Sequence, residues 1–407
     1  MVLIKKSKLK NKKQIAIIGA GIVGLAIAYK LTLLNKKVVV FEKEPEEGMH
    51  QSGRNSGVLH CGLYYEPGSL KAILSVNGIR EMVAFAKENA ISHDICGKVV
   101  VATSDEEEKA LFALFDRGNK NGLKGLKYLS KTQLKKREPF VRAQKALLVP
   151  EEGIIDYKGV MKKLVYKIQE NGGSIYYSCP IKKIFNGNQS SIHINTKKEE
   201  FTFDHVISCA GLWSDSNYKN LTKKKSPLKI IPFRGEYLKF KPDYEDRVNH
   251  LVYPVPDAQF PFLGVHFTRM IDGTREVGPN AVLALKREGY NRNSFSFKDA
   301  FESLTYPGLF YFILNNFSFS LSEFKSSFFL KSFISKAKKI IPDLDSSMLT
   351  RGSSGVRAQA ISPRGELMMD FNIYREGRQI HILNAPSPGA TASFAIASHI
   401  IQNYLPS

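Results

Sequence analysis

Several features that mark secreted, zinc-binding or membrane-spanning proteins are missing from this sequence of 407 residues. Apolar runs stop short of the ~18 residues that a membrane-spanning helix needs. The opening segment, residues 1–4, is too short for the apolar core of a signal peptide, so we do not expect secretion. The cysteines show neither C-x-x-C spacing nor a histidine partner, which predicts no metal site, no disulfide framework and reduced thiols in the cytoplasm. They are Cys61, Cys96, Cys179 and Cys209.

Acidic residues are scarce relative to basic ones, and the formal net charge is +21. Such a charge suits a nucleic acid, an anionic membrane surface or an anionic substrate. The lysines are spread along the whole chain, including a basic tail over residues 1–13. No helix-turn-helix, zinc-finger or RNP signature accompanies them, so we do not expect nucleic-acid binding.

The most specific pattern begins with the apolar run Ile15–Ile18, which predicts a strand buried on both faces. Gly19 permits the tight turn that follows, Gly21 lets the backbone approach a pyrophosphate, and Gly24 lets the next helix pack close to the strand. The helix would direct its N-terminal N–H groups and positive dipole end at the phosphates. This spacing therefore predicts a dinucleotide-binding turn.

A second apolar run, Val38–Phe41, ends at Glu42. A carboxylate at this point accepts hydrogen bonds from a ribose 2′-hydroxyl and repels a 2′-phosphate, which favours FAD or NAD over NADP. Strand, helix, second strand and terminal acid occur together, so we predict a dinucleotide-binding βαβ unit. The chain length suggests roughly two to three domains.

Two further regions suit a ligand site. Residues 50–65 are rich in Gly, His and small polar residues, which is typical of a solvated loop or of a loop that wraps a polar ligand. Short strands broken by Pro and Gly between residues 231 and 289 predict an antiparallel sheet with a polar pocket. His266 alternates with Phe267 along one of these strands, so the two side chains would point to opposite faces. The single tryptophan, Trp213, is expected to serve in packing.

These blocks together resemble one family. The glycine turn with Glu42, residues 52–65, 209–214, 231–289 and 351–393 follow the order seen in the L-2-hydroxyglutarate dehydrogenase/oxidase family of D-amino-acid-oxidase-like FAD enzymes. The resemblance implies an α/β fold with an FAD-binding Rossmann-like domain and a second α+β substrate domain built on an antiparallel sheet. Family members often carry His at Arg54 and Ala or Ser at Cys61, so neither residue receives a chemical role.

The glycine pattern and the resemblance together predict where FAD would bind. The backbone at Ile181 would face the adenine. Pro388 and Gly389 would open a helix whose N–H groups meet the flavin pyrimidine edge, where negative charge builds up on reduction. The full expected set is Gly19, Gly21, Ile22, Val23, Gly24, Glu42, Lys43, Gln51, Ser52, Asn55, Ser56, Gly57, Ile181, Ala210, Gly211, Pro388, Gly389, Ala390 and Thr391.

The resemblance further implies oxidation of L-2-hydroxyglutarate to 2-oxoglutarate, with hydride transfer from C2 to flavin N5 while a base removes the hydroxyl proton. His60 and His266 are the candidate bases, and the sequence does not choose between them. Arg357 is the first candidate for a carboxylate clamp, because guanidinium binds carboxylate through two parallel hydrogen bonds. The other candidates for substrate binding are Tyr64, Arg234, Tyr253 and Lys286.

We predict a discontinuous FAD-binding domain over residues 14–78, 151–222 and 350–407, and a substrate domain over 79–150 and 223–349. Residues 291–345 form an aromatic-rich, basic helical excursion, in which polar residues exclude a spanning helix. Two helices packed on the sheet would explain it, but we favour peripheral contact with an anionic membrane, because a dehydrogenase that reduces quinone must meet lipid. The electron acceptor would be quinone or oxygen, and the location cytoplasmic or the inner face of the membrane.

Alternative functions differ in testable ways. A related flavoenzyme would oxidise another 2-hydroxy acid, an amine or glycerol 3-phosphate, which the motifs around Arg357 and His266 disfavour. A non-catalytic flavoprotein would hold FAD that no 2-hydroxy acid bleaches. An NAD-dependent dehydrogenase has no counterpart of the loop at residues 50–65, and a yellow protein would exclude it.

Overall fold

The computed structural model describes residues 14–186, 191–256, 264–316 and 330–406. The predicted basic tail, 1–13, lies outside the described residues, as does part of the predicted excursion, 317–329.

A six-stranded sheet surrounds the first apolar strand. Its order is Asn372–Glu376, Gln379–Asn384, His205–Ser208, Gln14–Ile18, Lys37–Phe41 and Ser174–Tyr176. Neighbouring strands are parallel except at the edge strand Asn372–Glu376, which is antiparallel. Strands Gln14–Ile18 and Lys37–Phe41 are buried on both faces beyond their first residue, which explains their continuous apolar runs.

Each face of this sheet has its own cover. One face packs against four helices, Ile22–Leu33, Leu70–Glu88, Tyr157–Glu170 and Ser393–Tyr404. The other packs against a three-stranded antiparallel sheet, Lys183–Asn186, Ile192–Asn195 and Glu200–Phe203. Ile15 and Ile17 face the helices, whereas Ala16 and Ile18 face the small sheet, as the two-residue period of a strand requires.

A large, mostly antiparallel sheet forms the second half of the molecule. Eight strands follow the order Val282–Leu283, Lys229–Phe240, Arg275–Gly278, His266–Arg269, Leu251–Pro254, Lys98–Ala102, Lys145–Val149 and Lys127–Leu129. A ninth, Leu349–Ile361, pairs along Lys229–Phe240. A short separate sheet of Val58–Leu59, Gly153–Ile155 and His93–Asp94 packs through Val58 and Ile154 against Leu251 and Tyr253 of the large sheet.

The remaining helices are short or peripheral. Helix Asp105–Lys120 begins at the Ser104 cap, and Lys131–Arg137 begins with a capping box at Ser130. The others are the α-helices Ser214–Thr222, Phe297–Leu304, Pro307–Asn315 and Leu330–Lys338 and the 3₁₀ helices Gly211–Trp213, Pro242–Arg247 and Ser346–Met348.

The predicted fold class is confirmed, because a parallel α/β unit adjoins a second unit built on a mainly antiparallel sheet. The predicted domain limits stay a prediction, and two of them depart from the observed elements. Residue 78 lies within the continuous helix Leu70–Glu88, and residues 350–361 belong to a strand of the large sheet. The strand that contains residues 350–361 belongs to the large sheet because it pairs with Lys229–Phe240, more than a hundred residues earlier in the sequence.

Residues 291–316 and 330–345 include helices that pack on the large sheet, whereas the predicted membrane contact stays a prediction. Leu309 and Phe312 of helix Pro307–Asn315 pack against the large sheet, and Phe333 of helix Leu330–Lys338 packs against its other apolar cluster. The opposite sides of the first two helices expose large apolar side chains. None of the helices described in the chain has the length and apolar character needed to cross a membrane.

Candidate active site

The glycine turn shows the close approaches that the sequence predicts. Gly19 has φ of 102°, and a Cβ there would lie 2.6 Å from the Cys209 carbonyl oxygen. A Cβ on Gly24 would lie 2.1 Å from the Gly19 carbonyl oxygen. Both positions therefore require glycine, the first for its left-handed backbone and the second for close packing of the helix against the turn.

The N-terminus of helix Ile22–Leu33 meets the requirements of a phosphate site. Its cap residue, Gly21, provides no side chain to the helix, and the Ile22 N–H donates to Ser52 Oγ at 3.0 Å. The first turn contains no acidic residue that would repel a phosphate. A helix leaves its first N–H groups without an acceptor in the helix itself, so those that follow the Ile22 N–H can meet an anion, which the helix dipole favours there.

Glu42 lies at the end of the second strand, as predicted. Its carboxylate is buried and accepts hydrogen bonds from the Ala20 N–H at 2.7 Å and the Glu44 N–H at 3.0 Å. Both donors are backbone groups, so the loop holds the carboxylate in place at the cavity wall.

One cavity of about 780 Å³ extends from the glycine turn to the large sheet, within the range of roughly 300–1,000 Å³ typical of small-molecule sites. The structure brings nearly all predicted cofactor residues to its wall. They are Gly19, Gly21, Ile22, Val23, Gly24, Glu42, Lys43, Gln51, Ser52, Asn55, Ser56, Ile181, Ala210, Gly211, Pro388, Gly389, Ala390 and Thr391. Gly57 is the exception, since its carbonyl accepts from the Ile155 N–H in a neighbouring strand and it does not line the cavity.

The expected helix start at Pro388–Gly389 is wrong. Residues 387–392 form turns, and the helix begins at Ser393. The Gly389 N–H already donates to the Pro386 carbonyl and the Ala392 N–H to the Pro388 carbonyl, so these two N–H groups satisfy the turn itself. The loop still lines the cavity, but it does so as a turn and not as a helix N-terminus.

The end of the cavity at the large sheet contains both predicted histidines. The ring of His266 stacks on Tyr253 with centroids 4.0 Å apart, and its Nδ1 donates to the Gly264 carbonyl at 3.0 Å. Its Nε2 is therefore the lone-pair nitrogen. Burial lowers the pKa of His266 to about 3, with a smaller contribution from the positive charge of Arg357. His266 is thus a neutral ring at physiological pH.

His60 has a different environment. Its Nδ1 lies 3.5 Å from Glu152 Oε2, and its ring meets Tyr253 edge-on with centroids 6.2 Å apart. The His60 backbone N–H donates to Thr391 Oγ1 at 3.3 Å, which ties this loop to the C-terminal turn. A carboxylate beside Nδ1 favours the tautomer with the proton on that nitrogen, which leaves Nε2 as the lone-pair nitrogen of the ring.

Arg357, Tyr64 and Tyr253 also line this end of the cavity, as predicted. Tyr237 lines it too and was not among the predicted site residues. Burial raises the pKa of Tyr237, and the hydrogen bond and positive charge of Arg357 oppose this rise. The buried Tyr64 hydroxyl has no hydrogen-bond partner within the described ranges. The arrangement offers the Arg357 guanidinium and several hydroxyls to an anionic ligand.

Two predicted substrate residues do not reach the cavity. Arg234 bonds Glu236 Oε1 through Nε at 3.2 Å and the Asn291 carbonyl through Nη1 at 3.2 Å. Gly235 and Tyr237 of the same strand line the cavity, so the alternation of a strand turns Arg234 to the other face. Lys286 is exposed on a loop and is absent from the cavity wall.

Lys71, a cation at the cavity wall, was missed by the sequence analysis. It lies in the first turn of helix Leu70–Glu88, where its Nζ donates to the Met369 carbonyl at 3.0 Å and lies 4.4 Å from the centre of the Tyr65 ring. Burial lowers the pKa of Lys71 to about 8. A lysine at a helix start carries no sequence signal that separates it from the other lysines of this basic chain.

Lys43 lies among residues with metal-type ligands. Within the described part of the chain, one such group is near enough to share an ion, namely Glu44, His50 and Glu288. Lys43 Nζ is 2.6 Å from both carboxylates and 3.1 Å from the His50 ring, so an ammonium already contacts all three groups. Trp213 packs against the apolar cluster that contains Leu212, and its Nε1–H donates to Glu288 Oε1 at 2.7 Å at the cavity wall, so a purely packing role stays a prediction.

Comparison with known proteins places the chain in a family. The model of the FAD dependent oxidoreductase family matches residues 14–403. An L-2-hydroxyglutarate dehydrogenase of Indibacter alkaliphilus is 45% identical over 96% of this chain and 98% of that protein. The Escherichia coli K12 protein of that name is 41% identical over 95% of this chain and 91% of its own length. The human mitochondrial protein of that name is 41% identical over 95% of this chain and 87% of its own length. The chain belongs to the L-2-hydroxyglutarate dehydrogenase family.

Solved structures agree on the fold. The FAD-bound, dithionite-reduced L-alpha-glycerophosphate oxidase of Mycoplasma pneumoniae superposes with a TM-score of 0.77, at 23% identity, over 96% of this chain and 94% of that one. The L-proline dehydrogenase of P. horikoshii superposes with a TM-score of 0.71, at 17% identity, over 98% and 96%. The predicted recognition, FAD cofactor and enzyme class are confirmed, and this dehydrogenase family member is an FAD-dependent oxidoreductase.

The residues present fit FAD. The uncapped helix start would hold the pyrophosphate, the Glu42 carboxylate the ribose, and the 387–392 turn one edge of the flavin. The glycines at positions 19 and 24 leave the space that side chains would fill.

Proposed function

We propose that this enzyme oxidises L-2-hydroxyglutarate to 2-oxoglutarate. The observation that carries the proposal is the 40–45% identity, over nearly the full length, to several proteins named L-2-hydroxyglutarate dehydrogenase. The cavity supports it with Arg357 for a carboxylate and two histidines for a hydroxyl proton. Lys71 is a further cation at the wall besides Arg357, which suits a substrate with two carboxylates.

FAD, when bound, accepts the hydride from C2 of the substrate. The protein must bind the two carboxylates, orient C2 and take the hydroxyl proton. Arg357, Tyr64 and Tyr253 are the proposed substrate contacts, since all three line the same end of the cavity. Lys286 and Arg234 are omitted because neither lines it.

We assign the proton to Nε2 of His60. Its Nδ1 lies beside the Glu152 carboxylate, so the imidazolium formed by proton uptake has a counter-charge at 3.5 Å. His266 lacks such compensation, because burial and the nearby Arg357 hold its pKa near 3. His266 would act as a neutral hydrogen-bond partner of the substrate, whereas His60 would act as the general base.

Anaerobic mixing tests this assignment. Addition of L-2-hydroxyglutarate should bleach the flavin band of the wild-type enzyme, and the D form should not. H60Q should slow flavin reduction roughly 10²–10⁴-fold, the usual contribution of a general base. The rate of flavin reduction in H266Q at neutral pH should be lower by less than about tenfold. An acidic limb near neutrality in the pH profile fits a histidine base.

Normal flavin reduction in H60Q would refute the assignment of the base to His60, whatever the rate of H266Q. A panel with other 2-hydroxy acids, amines and glycerol 3-phosphate tests the substrate. Faster bleaching by any of these than by L-2-hydroxyglutarate would refute the proposed substrate and leave the FAD chemistry intact.

We further propose that helices Phe297–Leu304 and Pro307–Asn315 rest on an anionic membrane, where electrons pass to quinone. The exposed fractions of Phe297, Phe301 and Leu304 are 78%, 61% and 61%, and their spacing puts them on one helix face. Phe310, on the next helix, is 60% exposed. A net charge of +21 favours anionic lipid.

Vesicle sedimentation tests the membrane proposal. The wild-type enzyme should bind vesicles with anionic lipid more strongly than neutral ones, and F297S/F301S/F310S should lose most of this binding. F112S, which removes an exposed phenylalanine from helix Asp105–Lys120, is the matched control and should bind normally. Unchanged binding of the triple variant would reject the proposed face. Oxygen is the alternative electron acceptor. Comparing the rate at which the enzyme reduces quinone embedded in vesicles with its rate of oxygen uptake distinguishes the two acceptors.

A further inference from the structure

A fully buried ion pair lies directly behind the cavity, and one of its members is the Glu152 carboxylate beside His60. Lys98 opens a strand of the large sheet, and Glu152 precedes a strand of the short sheet. Their side chains are 0% and 1% exposed, with Lys98 Nζ 2.7 Å from Glu152 Oε2. Burying a charge is costly, so a pair this deep requires either a structural or a functional reason.

The contacts of Glu152 connect it to the proposed base. Its Oε1 accepts from the backbone N–H and the Sγ–H of Cys61, both at 3.2 Å. Its Oε2, held by Lys98, is the atom 3.5 Å from His60 Nδ1. Three of these contacts fix the carboxylate, and the fourth faces the imidazole that reaches the cavity. Neither Lys98 nor Glu152 lines the cavity itself.

We propose that Glu152, anchored by Lys98, is the positioning residue of His60, which it holds with Nδ1–H toward the carboxylate and Nε2 toward the substrate. The inference rests on the proposed role of His60 as base. With FAD bound as the hydride acceptor for C2, the substrate O–H bond would break and an Nε2–H bond would form on His60. The positive charge gained by His60 is then opposed by the Glu152 carboxylate.

Lys98 keeps the carboxylate charged. Burial alone would raise the pKa of Glu152, but Lys98 and His60 reverse this effect and hold that pKa below its ordinary range. Lys98 Nζ also lies 4.4 Å from the centre of the Tyr64 ring and 5.0 Å from that of Tyr253. These rings favour the cation and separate it from the cavity.

The other groups around His60 do not replace this carboxylate. Tyr253 presents its ring, and burial raises the pKa of its hydroxyl above the ordinary range. Cys61 is a buried thiol whose pKa burial raises well above its usual value, with the charge of Glu152 adding to the rise. His266 is neutral for the reason given above. Glu152 is therefore the anion that faces His60 among the described residues.

The variant E152Q tests the proposal, because it keeps the shape of the side chain and an oxygen for the Cys61 N–H while it removes the charge. We expect flavin reduction to slow roughly 10- to 100-fold. The acidic limb of the rate profile should move at least about one pH unit lower, because the imidazolium loses its counter-charge. FAD content and the binding of 2-oxoglutarate, followed by the flavin spectrum, should stay within about twofold.

Two further variants separate positioning from stability. E276Q removes a different buried carboxylate of the large sheet, one that bonds Ser353, and should leave the rate and the acidic limb unchanged. K98M/E152Q removes both buried charges, so it is expected to fold if E152Q alone does not, and it should show the same displaced limb. The inference would be overturned if a folded, FAD-loaded E152Q or K98M/E152Q reduced its flavin at the wild-type rate with the acidic limb of the pH profile in its wild-type position.

A direct measurement covers the case in which L-2-hydroxyglutarate is not the substrate. Histidine ring ¹⁵N signals report tautomer and titration without turnover, and H60Q identifies the signal of His60 by its loss. His60 should show Nδ1–H in the wild type and titrate at a pH at least about one unit lower in E152Q. An unchanged titration rejects the positioning role, whereas absence of flavin bleaching in the wild type rejects only the proposed substrate.

Discussion

The substitution H266Q should make the enzyme more resistant to acid unfolding. Burial lowers the pKa of His266 from 6.5 to about 3. The unfolded chain therefore binds a proton at this residue between pH 6.5 and about 3, and the folded chain does not. Acid favours the state that binds the proton, so stability falls as the pH drops below 6.5.

The size of the effect follows from the same shift. Each pH unit within this range is worth about 1.36 kcal/mol, so at pH ~4.5 the histidine should destabilise the fold by about 2.7 kcal/mol relative to pH ~7.5. The result depends little on the lower limit, because pH ~4.5 lies well above it. Gln cannot gain this proton, and its amide can still donate to the Gly264 carbonyl.

Urea unfolding of the FAD-loaded enzyme at the two pH values measures the difference. The matched control is H93Q, because His93 Nδ1 makes the same kind of bond to a carbonyl two residues earlier, at 2.7 Å, but the ring is only half-buried. H266Q should lose about 2–3 kcal/mol less than the wild type on acidification, and H93Q should behave like the wild type. Equal losses in wild type and H266Q would refute a neutral, buried His266.

Three further outcomes are expected. G24A should lower FAD retention and cost about 1–3 kcal/mol, because its Cβ would lie 2.1 Å from the Gly19 carbonyl oxygen; flavin fluorescence after gel filtration measures the loss. R287M should lower the free energy of unfolding by about 3–5 kcal/mol, since it removes the two hydrogen bonds at 2.6 and 3.0 Å that Arg287 donates to the buried Asp215. Thermal unfolding measures this loss. Between pH ~8 and 10.5 the unfolded chain retains the Lys71 proton and the folded chain does not, so the stability of the wild type should rise with pH in this range. K71M should abolish this rise.

The cofactor half of the site could be predicted because its physical requirements are local. A glycine that must avoid a Cβ, a helix that needs a free N-terminus and a carboxylate at a strand end all leave marks within about 30 residues. Gly19, Gly24 and Glu42 therefore appear in the structure in their expected positions. The error at Pro388 was also local, since a Pro-Gly pair suits a turn as well as a helix start.

The substrate half was predicted less completely because its residues come from different strands. Arg234 shares a strand with Tyr237, and period-two alternation puts an odd and an even position on opposite faces. Knowledge that Tyr237 faces the cavity would have excluded Arg234, but no local pattern says which face that is. Pairing of Lys229–Phe240 with Leu349–Ile361 decides it, and that register joins residues more than a hundred positions apart.

Lys98 and Glu152 show the same limit in its sharpest form. In sequence, Lys98 is one more lysine before an apolar strand, and Glu152 is one of two adjacent glutamates. Only the fold brings the pair within 2.7 Å and removes water from both. A charge that opens a fully buried strand is nevertheless a local signal, because such a residue must find a counter-charge or lose its own. In this family member the counter-charge of Lys98 is Glu152, and Glu152 in turn lies beside His60. The buried lysine of the large sheet is thereby connected to the residue proposed to take the proton.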